Sequence, residues 1–268
     1  MSGTGPLLLV GCGKMGGALL AGWLDQGMAA DEITVIEPLA EVSADVTTVS
    51  EAAALPVDFT PAVTVVAVKP QTMDQALAPL AGRDAVAGGL VLSIAAGKTI
   101  GYFERIFSAQ TAIVRAMPNT PAAVGRGITV LSANAAVTQA GRQLCGQLMS
   151  AVGEIAWVED EGLMDAVTAT SGSGPAYVFL LIETLAEAAA AAGLEAGLAL
   201  RLAQATVSGA GELARLADES ATQLRQNVTS PGGTTAAALE VLMAGDGLQP
   251  LMTRAVAAAT RRSRELAG

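Results

Sequence analysis

Leu7-Leu8-Leu9-Val10-Gly11-Cys12-Gly13-Lys14-Met15-Gly16 is the stretch on which the fold turns. Pro6 to Val10 reads as a strand. The next six residues fit G-x-G-x-x-G, and Lys14 to Gln26 then reads as a helix closed by Gly27. Strand, glycine turn and helix in that order are the setting in which this pattern holds a dinucleotide. Gly11 permits the tight turn, Gly13 lets the backbone approach a pyrophosphate, and Gly16 lets helix and strand pack closely. The free N–H groups and positive dipole end of the helix then face the phosphates. An ordinary glycine turn is the competing reading.

Outward from this unit, short β-branched runs alternate with helix-length segments. Ile33 to Glu37, Val63 to Val68, Leu90 to Ile94 and Ala112 to Ala116 read as further strands. Gly127 to Leu131 and Glu154 to Val158 add candidate edge strands, with a helix from Thr138 to Ala151 between them. The alternation predicts an α/β fold with a doubly wound, mostly parallel sheet. After Val158 the strand-like runs stop. Segments near 160–170, 175–192, 196–216, 218–227, 234–244 and 248–266 read as helices, several of them rich in alanine and poor in charge. Such helices are too apolar to stand alone in water, which predicts packing against a second subunit. The expected division is a dinucleotide-binding domain over 1–158 and a helical domain over 159–268.

Composition narrows the chemistry. Of 268 residues, 51% are hydrophobic and 15% charged, so the chain can bury a sizeable core. Fifteen basic residues against twenty-five acidic ones leave a net charge of -10, with no basic stripe for a nucleic acid. There is no histidine, which removes serine–histidine and cysteine–histidine nucleophile pairs and histidine metal sites. Cys12 and Cys145 alone cannot build a zinc cluster, so no metal is expected. Leu7 to Val10 is too short for a signal peptide, and Tyr177 to Leu194 carries Glu183 and Glu187. The expectation is a cytoplasmic protein, with Tyr177 to Leu194 a buried or interface helix and not a membrane span.

Other positions point to ligands. Glu37 ends the second strand about twenty residues past the glycines, where an acid binds the adenosine ribose hydroxyls. A carboxylate there repels a 2′-phosphate and tilts the expectation toward NADH; a solvated strand-end acid is the plain alternative. No Arg or Lys occurs between Lys14 and Lys69 to read such a phosphate. Ala67-Val68-Lys69-Pro70 and Ser93-Ile94-Ala95-Ala96-Gly97 stand at strand carboxyl ends, where doubly wound sheets bind ligands. Lys69 is a general acid, a phosphate contact or a loop cation. Ser230-Pro231-Gly232-Gly233-Thr234-Thr235 precedes an apolar helix; its N–H groups suit a carboxylate, and a simple capped helix start is the alternative.

Five stretches occur in a telling order: Gly-Cys-Gly-x-Met-Gly at 11–16, Ala-Val-Lys-Pro at 67–70, Arg-Ala-Met-Pro-Asn-Thr-Pro at 115–121, Ser-Gly-Ser-Gly-Pro-Ala-Tyr at 171–177 and Ser-Pro-Gly-Gly-Thr-Thr at 230–235. In them, over nearly its whole length, the sequence resembles the pyrroline-5-carboxylate reductases, the last enzymes of proline synthesis. The resemblance implies an N-terminal Rossmann domain and an all-α C-terminal dimerisation domain that interlocks with a partner's. It implies hydride transfer from NADPH or NADH to the C=N bond of 1-pyrroline-5-carboxylate, giving L-proline. Dinucleotide contacts would fall on Gly11, Cys12, Gly13, Lys14, Met15 and Gly16, on Ala67, Val68, Lys69 and Pro70, on Ala95, Ala96 and Gly97, and on Asn227. Substrate contacts would fall on Glu161, Gly232, Gly233, Thr234 and Thr235, with Thr235 bonding the ring nitrogen. A homodimer or a ring of dimers is implied, without nucleic-acid or membrane partners.

Two departures stand out. Lys14 replaces the usual Asn or Gln of the glycine loop, and Glu37 stands where many members carry Ser, Thr or Asn suited to NADPH. A related imine or β-hydroxyacid reductase is the enzymatic alternative. Those dehydrogenases place a catalytic lysine early in the second domain, and Ser171 to Gly268 contains none. A dinucleotide-binding regulator without turnover is the non-enzymatic one.

Overall fold

The computed structural model describes residues 5–39, 42 and 45–267. It opens with β1 (Leu7–Val10), α1 (Lys14–Asp25), β2 (Ile33–Ile36), β3 (Thr47–Val49) and β4 (Val63–Val66). There follow α2 (Met73–Ala81), α3 (Asp84–Ala87), β5 (Leu90–Ser93), α4 (Ile100–Ile106), β6 (Ala112–Met117), β7 (Gly127–Ala133), α5 (Gln139–Ser150) and β8 (Gly153–Trp157). The strands form one sheet in the order β3-β2-β1-β4-β5-β6-β7-β8. All pairs are parallel except β6 with β7.

Strands β1, β2 and β4 are buried along their length because each face meets a helix layer. Successive side chains alternate between faces. Leu7, Leu9, Ile33, Val35, Val63 and Val65 pack with Leu19, Leu20 and Trp23 of α1 and with Leu148 and Met149 of α5. Leu8, Val10, Ile36 and Val66 pack on the other face with Met73, Leu77 and Leu80 of α2 and with Phe103 of α4. Trp23 is fully buried, and its Nε1–H donates to the Leu148 carbonyl at 2.8 Å, which removes its one polar cost.

The sequence expectation of a mostly parallel, doubly wound sheet stands, with three differences. Thr47–Val49 is a strand the sequence reading omits; it pairs with β2 through its backbone and buries almost nothing. β7 is interior and not an edge strand, and it runs antiparallel to β6. The link from Met117 to Gly127 is too short for a crossover helix, so the chain turns back. Val63 to Val68 is regular only as far as Val66, which leaves Ala67 and Val68 in the loop above the strand.

Beyond β8 the chain is helical: α6 (Met164–Val167), a wide π turn over Thr168–Gly172, α7 (Gly174–Ala191), α8 (Ala196–Leu216), α9 (Ala221–Asn227), α10 (Thr234–Leu242) and α11 (Leu248–Ala267). Residues 1–172 with 259–268 form one compact unit and 173–258 a second. The end of α11 therefore belongs with the sheet, where the Ser263 hydroxyl donates to Asp165 Oδ1 at 2.7 Å. In the second unit α7 buries no residue, and Phe179 and Leu180 are more than half exposed. The stretch Glu161–Ala191 is long and apolar enough to cross a membrane by length and composition alone. An apolar surface of this size needs a cover.

Candidate active site

The backbone of the glycine loop has the geometry expected at Gly11 and Gly16. Gly11 has φ +91°, and a Cβ there would meet Val68 Cγ1 at 2.8 Å and the Ala67 carbonyl at 3.0 Å. A Cβ at Gly16 would lie 2.4 Å from the Gly11 carbonyl, so only glycine lets α1 rise so close to the loop. Gly13 differs: nothing lies within 4 Å of its virtual Cβ. It is the N-cap of α1, makes no side-chain cap bond, and is followed by a first turn without acids. The start of α1 therefore keeps unpaired N–H groups beside open space, which fits a pyrophosphate.

Glu37 is held against this loop. Its Oε2 accepts the Cys12 N–H at 2.8 Å and its Oε1 accepts the Leu39 N–H at 2.9 Å. Two backbone donors fix the carboxylate beside the turn, at the end of β2. This is more than a solvated strand-end acid, although its partners are its own chain. The Cys12 thiol is pushed up, first by burial and then by the charge of Glu37. Cys145 is wholly buried in α5, and burial pushes its thiol up to about 12.

Ala67 to Pro70 joins the glycine loop directly, through the Gly11 contacts above and through Ala67, 3.3 Å from the virtual Cβ of Gly16. Ala95 to Gly97 follows β5, the next strand; Ala95 is buried, Ala96 exposed, and the Ile94 N–H donates to the Val66 carbonyl at 3.0 Å. The expected cofactor positions of the first unit thus line the carboxyl ends of β1, β4 and β5, with Glu37 at the end of β2.

Glu161 lies in the first unit, in a single 3-10 turn whose N-cap Asp160 accepts the Gly162 N–H. Its Oε1 accepts from Arg115 Nη1 at 2.9 Å and from the Ile100 N–H at 2.8 Å. Both bonds fall on one oxygen, so Oε2 is the one left for another donor. Arg115 sits inside β6 with 4% exposure, and its Nη2 has no hydrogen-bond partner. The sequence reading quotes Arg115 in its motif and gives it no role. The available signal is a lone cation in an apolar strand, which demands a buried partner.

The remaining expected positions lie in the second unit. Gly232 has φ +70°, and the Gly233 N–H donates to the Ser230 carbonyl at 3.0 Å. Gly233 is the N-cap of α10, again without a side-chain cap or an acid in the first turn. The Thr235 side chain is half-buried, and among the described residues neither it nor Thr234 has a side-chain hydrogen bond. Asn227 ends α9, and its Oδ1 accepts from Gln223 Nε2 at 2.8 Å.

A Rossmann-like dinucleotide site joined to an all-helical C-terminal domain defines an NAD(P)-dependent oxidoreductase with a helical dimerisation domain. Residues 7–97 match the family described as NADP oxidoreductase coenzyme F420-dependent, and residues 161–266 match pyrroline-5-carboxylate reductase dimerisation. A pyrroline-5-carboxylate reductase of Pseudomonas aeruginosa is 40% identical over 98% of this chain and 97% of its own. The solved structure of a pyrroline-5-carboxylate reductase from Coxiella burnetii superposes with a TM-score of 0.91 at 36% identity, covering 98% of both chains. The Plasmodium falciparum pyrroline carboxylate reductase with NADP bound gives 0.83 at 30% identity, again over 98% of both. The chain belongs to the pyrroline-5-carboxylate reductase family.

Proposed function

We infer that this protein reduces the C=N bond of 1-pyrroline-5-carboxylate to L-proline at the expense of NADPH or NADH. The carrying observation is that the helices behind the two glycine turns, α1 in one unit and α10 in the other, both start without a side-chain cap or an acid in the first turn. One lies behind Gly13 and suits a pyrophosphate; the other lies behind Gly233 and suits the substrate carboxylate. The dinucleotide supplies the hydride. The chain's residues bind and orient: Gly232 and Gly233 offer N–H groups to the carboxylate, Thr234 and Thr235 add hydroxyls, and Glu161, in the first unit, keeps Oε2 for a donor of the substrate. The Thr235 hydroxyl hydrogen-bonds the ring nitrogen as it becomes an amine, and the proton that balances the hydride enters with the substrate as its iminium form, from solution. With no histidine in the chain, rate comes mainly from placing two reactants in contact. The test is loss of nicotinamide absorbance on adding pyrroline-5-carboxylate to the purified protein. Absence of any substrate-dependent oxidation with either cofactor would exclude this activity and leave the regulator reading.

The reading includes residues 159–268 as the substrate-binding and dimerisation domain of a cytoplasmic homodimer, or of a ring of such dimers, acting without nucleic acid or membrane. The apolar surface of α7 supports it, because a second copy is the cover that the family's dimerisation domain supplies. Light scattering reads the assembly size.

Glu37 favours NADH within this reading. Its fixed carboxylate suits ribose hydroxyls and opposes a 2′-phosphate. Glu37→Ser is expected to lower the ratio of kcat/KM for NADH over that for NADPH by roughly tenfold, the scale of one like-charge contact near a surface. The NADH value falls as the ribose hydroxyls lose their acceptor, and the NADPH value rises as the repulsion is removed. An unchanged ratio in steady-state kinetics removes Glu37 from cofactor choice.

A further inference from the structure

The chain has three lysines, Lys14, Lys69 and Lys98. Lys14 begins α1 behind β1, Lys69 follows β4, and Lys98 follows β5. These strands are parallel and adjacent, so each lysine is at a carboxyl end on the same sheet edge. The three cations therefore share the carboxyl end of the sheet, Lys14 with α1 on one face and Lys98 with Tyr102 of α4 on the other. None forms an ion pair among the described residues. Lys14 and Lys69 are exposed. Lys98 is half-buried, with Nζ 4.3 Å from the centroid of the Tyr102 ring. The Tyr102 hydroxyl donates to Asp74 Oδ1, which ties that ring to α2.

Of three carboxylates in this region, Glu161 is balanced by Arg115, while Glu37 and Asp74 are bonded to neutral N–H and O–H donors and keep their charge, so the three lysines outnumber the two unbalanced acids. The chain as a whole carries -10. An anionic dinucleotide is therefore repelled at long range and needs a local field of opposite sign to reach the crevice.

We propose that Lys14, Lys69 and Lys98 form an electrostatic funnel that captures the dinucleotide by its phosphates, and that Lys98, held by the Tyr102 ring, is a cofactor-binding residue. This rests on the dinucleotide part of the proposed function and is independent of which imine is reduced.

The experiment is stopped-flow association of NADH and of NADPH with the intact protein, read by nicotinamide fluorescence across a salt series without imino acid. Wild-type association slows as salt rises. Lys98→Met slows it at low salt by about threefold to tenfold, a modest share of the range known for steering, and the deficit vanishes at high salt. Lys98→Arg keeps the charge and the wild-type salt trend. In the Lys14→Met/Lys69→Met/Lys98→Met variant the chain is three charges more negative, and association speeds up with salt because only repulsion is left to screen. Wild-type association that ignores salt or accelerates with it overturns the proposal. So does a triple variant that keeps the wild-type trend, or a wild-type protein that binds neither nucleotide. Turnover is not read, so a protein that lacks the proposed reductase activity still gives an interpretable answer.

Discussion

Replacing Glu161 by alanine is expected to lower the unfolding free energy by about 3–5 kcal/mol, because it strands a buried cation. Arg115 is 4% exposed and already has one guanidinium nitrogen, Nη2, without a partner. Loss of Glu161 removes the acceptor of Nη1 and also that of the Ile100 N–H at the start of α4. The reverse change should be milder. Glu161 is 28% exposed, so in Arg115→Met its carboxylate recovers some hydration and keeps the Ile100 N–H. The double variant should be more stable than Glu161→Ala alone, since methionine fills the strand position without a charge. Urea unfolding at one fixed chain concentration measures all three, because the stability of a dimer depends on concentration. A loss under about 1 kcal/mol for Glu161→Ala would place the pair among weakly coupled surface bridges. Arg115→Met proving the more damaging change would mean that Arg115 packing, not charge pairing, dominates.

That pair also marks where sequence reasoning runs out. The opening strand, glycine turn and helix were readable because each signal is local: an apolar run, a glycine pattern and a helical period within twenty residues. The long buried strands were readable for the same reason. β3 was not, since Thr47-Thr48-Val49 is three mostly exposed residues whose only reason to be a strand is the backbone of β2. The direction of β7 depends on the shortness of the link after Met117, a length argument that strand patterning ignores. Arg115 and Glu161 are 46 positions apart, and no pattern in a single sequence pairs them. Glu37 was half-legible: its place after β2 suggested a ribose contact, but its bonds to the Cys12 and Leu39 N–H groups emerge only when the loop is folded. In the candidate site, the expected cofactor positions of the first unit follow the carboxyl ends of neighbouring strands, which a sequence pattern can mark, whereas Asn227 in α9 came from resemblance. Those of the substrate loop came from resemblance, because Ser230 to Thr235 alone reads equally well as an ordinary helix start.

Thr235→Ala should lower turnover by roughly a hundredfold, the scale of removing one hydrogen bond that matters most in the transition state. The Thr235 side chain carries no hydrogen bond of its own among the described residues, and Gly233, not Thr235, caps α10. Folding therefore hardly depends on its hydroxyl, and stability should change by less than about 0.5 kcal/mol. The KM for the dinucleotide should hold, since Thr235 belongs to the substrate loop in the proposed reading. Thr235→Ser keeps the hydroxyl and should restore most of the rate, whereas Thr235→Val, nearly the same shape without the hydroxyl, should not. Steady-state kinetics with saturating cofactor separate these cases. A full rate in the valine variant would show that the ring nitrogen takes its hydrogen bond elsewhere, from solvent. The chemistry would then owe this loop only its grip on the carboxylate.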